Sequence, residues 1–210
     1  MFSPNAPDQV LRALGDKFLG RLIQAVEGAR DDLEAMRDWQ PDWFPLMSDR
    51  CLANLIHDRL WAHMLKPDYE PNDMTVHESG ATREIIMGPF RLRLKRHHPD
   101  DRVSNYPTQT ALEFWIQQND GVLPGMEETT LAAGYRWHGD TKSIGAPVIS
   151  YRDGQENVIW AVELQSGTPA EAVTSITWAP VAPDLPVIEV AGTDHKDRAG
   201  TGTDGVPDEP

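Results

Sequence analysis

The sequence predicts an α+β fold with helices packed on one face of a mainly antiparallel sheet, in the order αα-ββ-α-βββ. Three observations predict it. Apolar residues recur at helical spacing early in the chain. Period-two alternation replaces that spacing in the middle and again further on. Between the two alternating regions one short stretch returns to helical spacing.

From Asp8 to Arg37, the residues Val10, Leu11, Leu14, Phe18, Leu22, Ile23 and Val26 predict one or two amphipathic helices. "DWQPDWFPLMSD" interrupts them with two prolines, which lack an amide donor, and ends in the N-cap residues Ser48 and Asp49. A second helix is expected from about Arg50 to Lys66, stopping at Pro67. "MTVHESG" and "TREIIMGPFRLRLKRHH" then predict a hairpin, punctuated at Gly80 or at Gly88-Pro89. In it Phe90, Leu92 and Leu94 face one way and Arg91, Arg93 and Lys95 the other. Pro107 suits the first turn of the next helix, whose apolar face is expected from Ala111, Leu112, Trp115 and Ile116 and whose end is expected near Asn119-Asp120-Gly121. Leu131, Ala133, Tyr135 and Trp137 alternate, as do Val158, Trp160, Val162 and Leu164, with "RDGQEN" as the turn of an antiparallel meander.

Three regions follow: an N-terminal helical arm and linker (1–47), an α+β core (48–165) and a Pro/Gly/Asp-rich tail (166–210). The stretch from Ala182 to Pro210 carries seven acids against two bases, and too little apolar surface to offset its ordering entropy, so a largely disordered acidic tail is expected. "LPVIEVAG" within it is a short apolar patch that can add as a strand or dock on a partner.

A net charge of -14 opposes nonspecific binding of polyanions by the whole surface. Cys51 is the single cysteine, so neither an internal disulfide nor a multi-cysteine zinc site is expected. The start "MFSPNAPDQVLRALG" has no basic stretch followed by an apolar run, and no segment approaches the length of a membrane span. The expectation is a cytoplasmic protein with no membrane contact and no cofactor.

Against that acidity, Thr82 to Val103 holds six bases and three acids. Alternation puts Arg91, Arg93 and Lys95 on one face of a strand, a fork set suited to a phosphate or an acidic partner; Arg96 and Tyr106 complete the expected contact. The bland alternative is a solvated face paired with the protein's own carboxylates. His97 and His98 with Asp100 and Asp101 contain metal-ligand types, but strand neighbours point to opposite faces and no "HExxH" occurs, so no metal is expected.

In "RCLANLIHDRLWAHMLK", Leu52, Leu55, Ile56 and Leu60 share a helix face with Arg59 and His63. Inward-facing polar groups need partners, for which Glu78, Glu84 and Glu113 are candidates; the set is either a structural ion pair or, if the protein is an enzyme, its catalytic Arg/His pair. His57-Asp58 is discounted because helix neighbours do not face each other. Cys51 reads as a small core residue. The glycines match neither a P-loop nor a dinucleotide fingerprint. Trp39, Trp43 and Phe44 in the linker, and Tyr106, Phe114 and Trp115 after the basic strand, offer aromatic surfaces that with nearby cations bind single-stranded nucleic acid in other settings.

The segments "LIHDRLWAHM", "RLRLKRHH", "SNYPTQTALEFW", "LAAGYRW" and "DGQENVIWAVEL" together resemble a family of small bacterial proteins known chiefly from high-GC actinobacteria. That family is associated with genes for an Xre-type helix-turn-helix and a zinc-peptidase-like domain. The resemblance covers Cys51 to Leu164 and brings no catalytic motif. It implies one component of a two-gene regulatory, toxin–antitoxin or phage-defence module that binds a protein partner, the Xre/zinc-peptidase-like regulator. The expected contact is the basic strand. Two alternatives stand beside it: a metal-independent enzyme or toxin acting on RNA or a nucleotide through Arg59 and His63, and a nucleic-acid-binding protein.

Overall fold

Helix α1, Pro7–Trp39, opens with a proline in its first turn and buries Val10, Leu11, Leu14, Phe18, Leu22, Val26 and Leu33 along one stripe. The computed structural model describes residues 3–66, 74–79, 82–104, 108–116, 128–154 and 156–165, all within the first of the chain's two units, Met1–Pro180. Gly15 interrupts α1 with φ +79°, a left-handed conformation that costs glycine little, so the stripe runs along two helical segments across a kink. A 3-10 turn, Phe44–Leu46, leads to α2, Asp49–Met64. The Ser48 side chain caps α2 by accepting from the Cys51 amide at 3.3 Å.

Among the described residues six strands follow: β1 Thr75–Ser79, β2 Thr82–Met87, β3 Phe90–His97, β4 Thr129–His138, β5 Ser143–Arg152 and β6 Val158–Glu163. They form one sheet in sequence order. β1, β2 and β3 pair in succession, so the expected hairpin opens into three strands. Helix α3, Gln109–Trp115, lies between β3 and β4, which pair in parallel; every other neighbouring pair is antiparallel. A parallel pair requires such a crossover.

The fold is therefore α+β, with the element order the sequence predicts. Leu92, Leu94, Leu131, Ala133, Ile149 and Val162 meet α1 and α2 in one apolar core. Helix α1 is not an arm set apart from a core beginning at residue 48, because its buried stripe is part of that same core. The seven-residue α3 lies against the opposite sheet face, where Phe114 and Trp115 cluster with Val103 and Ala132. Its buried residues are Ala111, Phe114 and Trp115, whereas Leu112 and Ile116 are exposed, so the stripe is rotated from the expected one. Cys51 is exposed rather than in the core. Tyr106, Pro107, the expected end of α3 near residue 120 and the whole tail lie outside the described residues.

Candidate functional site

The face of β3 carrying Arg91 and Arg93 is where an anion or acidic partner was expected. Antiparallel pairing sets Ile85 opposite Leu92, which brings the next position, Glu84, opposite Arg93. Glu84 accepts from both arginines: Oε1 lies 3.0 Å from Arg93 Nε and 2.6 Å from Nη2, and Oε2 lies 3.1 Å from Arg91 Nε. Arg91 also reaches Glu128 at 3.1 Å. Arg93 is only 6% exposed, and its guanidinium lies 3.8 Å from the centroid of the Phe114 ring. Burial alone would raise the pKa of Glu84, but the hydrogen bonds from Arg93 and Arg91 outweigh it and hold that pKa below the ordinary value.

The remaining cations of β3 are also committed. Lys95 is half-buried, and burial together with the charge of Arg93 brings its pKa down to about 8. Arg96 is half-buried; its Nε and Nη2 each lie 3.3 Å from Ser104 Oγ, and its guanidinium sits 5.7 Å from the Trp137 ring centroid. Of the expected docking set Arg91, Arg93, Lys95 and Arg96, Arg93 is buried and the other three are half-buried, and Arg91 is bound to two carboxylates.

His97 and His98 are held separately. His97 is fully buried, with Nε2 2.9 Å from Ser150 Oγ. Burial, then the charges of Arg152 and Arg136, hold its pKa well below the ordinary histidine value. His98 Nε2 lies 2.9 Å from Ser104 Oγ. Asp101 binds Arg136 and Asp100 binds Arg102. Among the described residues no group of three His, Cys, Asp or Glu could hold a metal ion.

Arg59 and His63 do come together, on a partner the sequence reading did not name. Asp32 of α1 places one oxygen, Oδ2, 2.7 Å from Arg59 Nε and 2.6 Å from His63 Nε2. Of the partners expected from sequence, Glu84 is bound by Arg91 and Arg93, and Glu78 by Arg83. Burial would raise the pKa of Asp32, yet the hydrogen bonds from Arg59 and His63 bring it below the ordinary value. The His63 ring is wedged against Gly28, where an added Cβ would lie 2.5 Å from Cε1. Beside this pair a groove of about 200 Å³ runs between the helices, lined by Ala29, Asp32, Leu33, Met36, Leu55, Ile56 and Arg59. Arg59 and Asp32 border it, and His63 does not.

The α1–α2 corner presents a different surface. Trp39, Trp43 and Leu46 are 71%, 61% and 84% exposed within one tight connection. Phe44, grouped with these tryptophans by sequence, is instead a buried anchor, with the Arg37 guanidinium 4.6 Å from its ring centroid. Arg37 Nη2 donates to the carbonyls of Thr141 and Lys142 at 3.1 and 2.9 Å. Lys142 Nζ returns the contact, donating to the carbonyls of Pro45 and Met47 at 2.8 and 3.0 Å. Two turns earlier Arg30 donates to the carbonyls of Ile144 and Gly145 at 3.0 and 2.7 Å. Thus the corner is tied at several points to the β4–β5 hairpin, and its apolar side chains are displayed from a fixed backbone. The proline-broken aromatic linker was the sequence signal for this surface; which rings face outward was not contained in it.

Comparison of the chain with protein-family models, with curated proteins and with solved structures returned no match. Among the described residues no helix is long and apolar enough to cross a membrane.

Proposed function

We propose that this protein works by binding a protein partner, and that it does so through the α1–α2 corner rather than through the basic strand. One observation carries the reading: Trp39, Trp43 and Leu46 are all exposed on a turn whose backbone is clamped by Arg37 and Lys142. Tryptophan is enriched where binding energy concentrates, and anchors held in place before association lose little entropy on contact. The resemblance noted in the sequence supplies the partner to try first, an Xre/zinc-peptidase-like regulator of a two-gene toxin–antitoxin or phage-defence module.

The test is affinity capture from the native lysate, with nuclease, comparing tagged wild type with the triple variant Trp39→Ser/Trp43→Ser/Leu46→Ser. The expected result is a protein retained by wild type and lost from a variant of unchanged circular dichroism. A partner retained equally by both proteins would overturn the assignment to the corner.

A second reading, a metal-independent enzyme or toxin acting on RNA or a nucleotide, draws on Arg59, Asp32 and His63 beside the interhelical groove. His63 Nε2 is engaged by Asp32 and its ring is absent from the groove lining, which leaves Arg59 as the cation at that groove. Growth arrest on expression, relieved by His63→Ala in a folded protein, would favour this reading over partner binding. Plain nucleic-acid binding has weaker support, since Glu84 binds Arg91 and Arg93, two of the strand cations it would use.

A further inference from the structure

We infer that the corner receives a cationic segment of its partner, one that sets lysine or arginine side chains over the Trp39 and Trp43 rings and against the carboxylates around them. The inference rests on the partner-binding reading and adds the chemistry of the segment bound.

The charges near the two rings are one-sided. Asp38 and Asp42 each directly precede an exposed tryptophan, and both are exposed, as are Glu34 one turn earlier and Asp49 at the start of α2. The nearby cations Arg37 and Lys142 are turned onto backbone carbonyls, and Arg50 is the remaining exposed cation from Glu34 to Arg50. An exposed indole face attracts a cation through its quadrupole, and an adjacent carboxylate adds to that attraction.

Other occupants are disfavoured by the same charges. A second copy would bring the same aspartates against these and carry a further net charge of -14. Nucleic acid and anionic lipid would be repelled likewise. A cationic protein segment with an apolar side chain to set against Leu46 satisfies all three features of the surface: two rings, one aliphatic anchor and an acidic rim.

Selection of random-sequence peptides on the intact chain tests this without knowledge of the natural partner. Peptides are selected on wild type and counter-selected on Trp39→Ser/Trp43→Ser. Enriched peptides should carry two or more Lys or Arg residues beside an apolar anchor. Their affinity should fall roughly three- to tenfold in Asp38→Asn/Asp42→Asn, and by a comparable factor when salt is raised from 0.05 to about 0.5 M. Enrichment of neutral or acidic peptides that need the tryptophans would overturn the cationic assignment and leave partner binding standing. The same follows if cationic peptides bind the Asp→Asn variant as tightly as wild type. If no peptide distinguishes wild type from the tryptophan variant, the inference and the reading beneath it both fail.

Discussion

Glu84 engages two cations of what alternation presents as an open cationic strand. The carboxylate is 3% exposed and binds two guanidinium groups, one of them beneath Phe114. Removing one member of such a set leaves a charge buried without compensation, which is far worse than losing a surface pair. Glu84→Ala should therefore destabilise the protein by about 3–5 kcal/mol in urea unfolding, whereas Arg102→Ala, which breaks an exposed pair with Asp100, should cost less than about 1 kcal/mol. Equal effects would show that Glu84 does not compensate the buried Arg93. Gly28 is a second position of this kind. A methyl group there meets the His63 ring at 2.5 Å, so Gly28→Ala should displace the ring from Asp32 and destabilise by about 1–3 kcal/mol, seen as a lowered urea midpoint.

At the scale of the elements, legibility followed the reach of each signal. Helical periodicity places Leu52, Leu55, Ile56 and Leu60 of α2 on the core face because one helix face carries that information alone, and the structure buries Leu52, Ile56 and Leu60 and leaves Leu55 half-buried. Alternation likewise separates Leu92 and Leu94 from Arg91 and Arg93, but it says only that the arginines point the other way. Whether that other way is water depends on α3 crossing the far face, a tertiary fact no local period records. The same limit hid Asp32, which meets Arg59 and His63 across an interface between helices, and it left the parallel pairing of β3 with β4 unread. The corner belongs to this scale too. Lys142 holds Pro45 and Met47 from a hairpin about a hundred residues away, so its removal should loosen the turn without touching the core. Lys142→Met should speed amide hydrogen exchange at Leu46 and Met47 and weaken partner capture, while α2 amides stay protected. Unchanged exchange at those two amides would mean the clamp is not what holds the display still.

For the molecule as a whole, the buried imidazole of His97 sets an acid limit. Its native pKa lies well below the unfolded value near 6.5, so the unfolded chain takes up a proton that the native protein refuses. The neutral site is fully compatible with folding above pH 6.5, and stability is lost as pH falls below it. The slope tends toward about 1.4 kcal/mol per pH unit for this one group. Asp32 and Glu84 are also depressed, so their contributions persist down to the ordinary carboxylate range and are lost only below it, near pH 4. Urea midpoints should accordingly fall between pH 6.5 and 5, before Asp32 and Glu84 protonate, and His97→Gln should flatten that part of the profile. A flat wild-type profile across this range would refute the assignment.

The parallel junction of β3 with β4, single among the described strands, also divides the sheet. The strands β1 to β3 form one run of antiparallel neighbours and β4 to β6 another, and their backbone ladders join where β3 lies alongside β4. Local hairpins close quickly, whereas a crossover must pay its loop entropy before its ladder returns anything. Loop entropy therefore predicts that the β3–β4 ladder closes after the hairpins on either side of it. A backbone cut between Ile116 and Glu128 would leave both halves whole and turn their union from a unimolecular closure into an encounter governed by concentration.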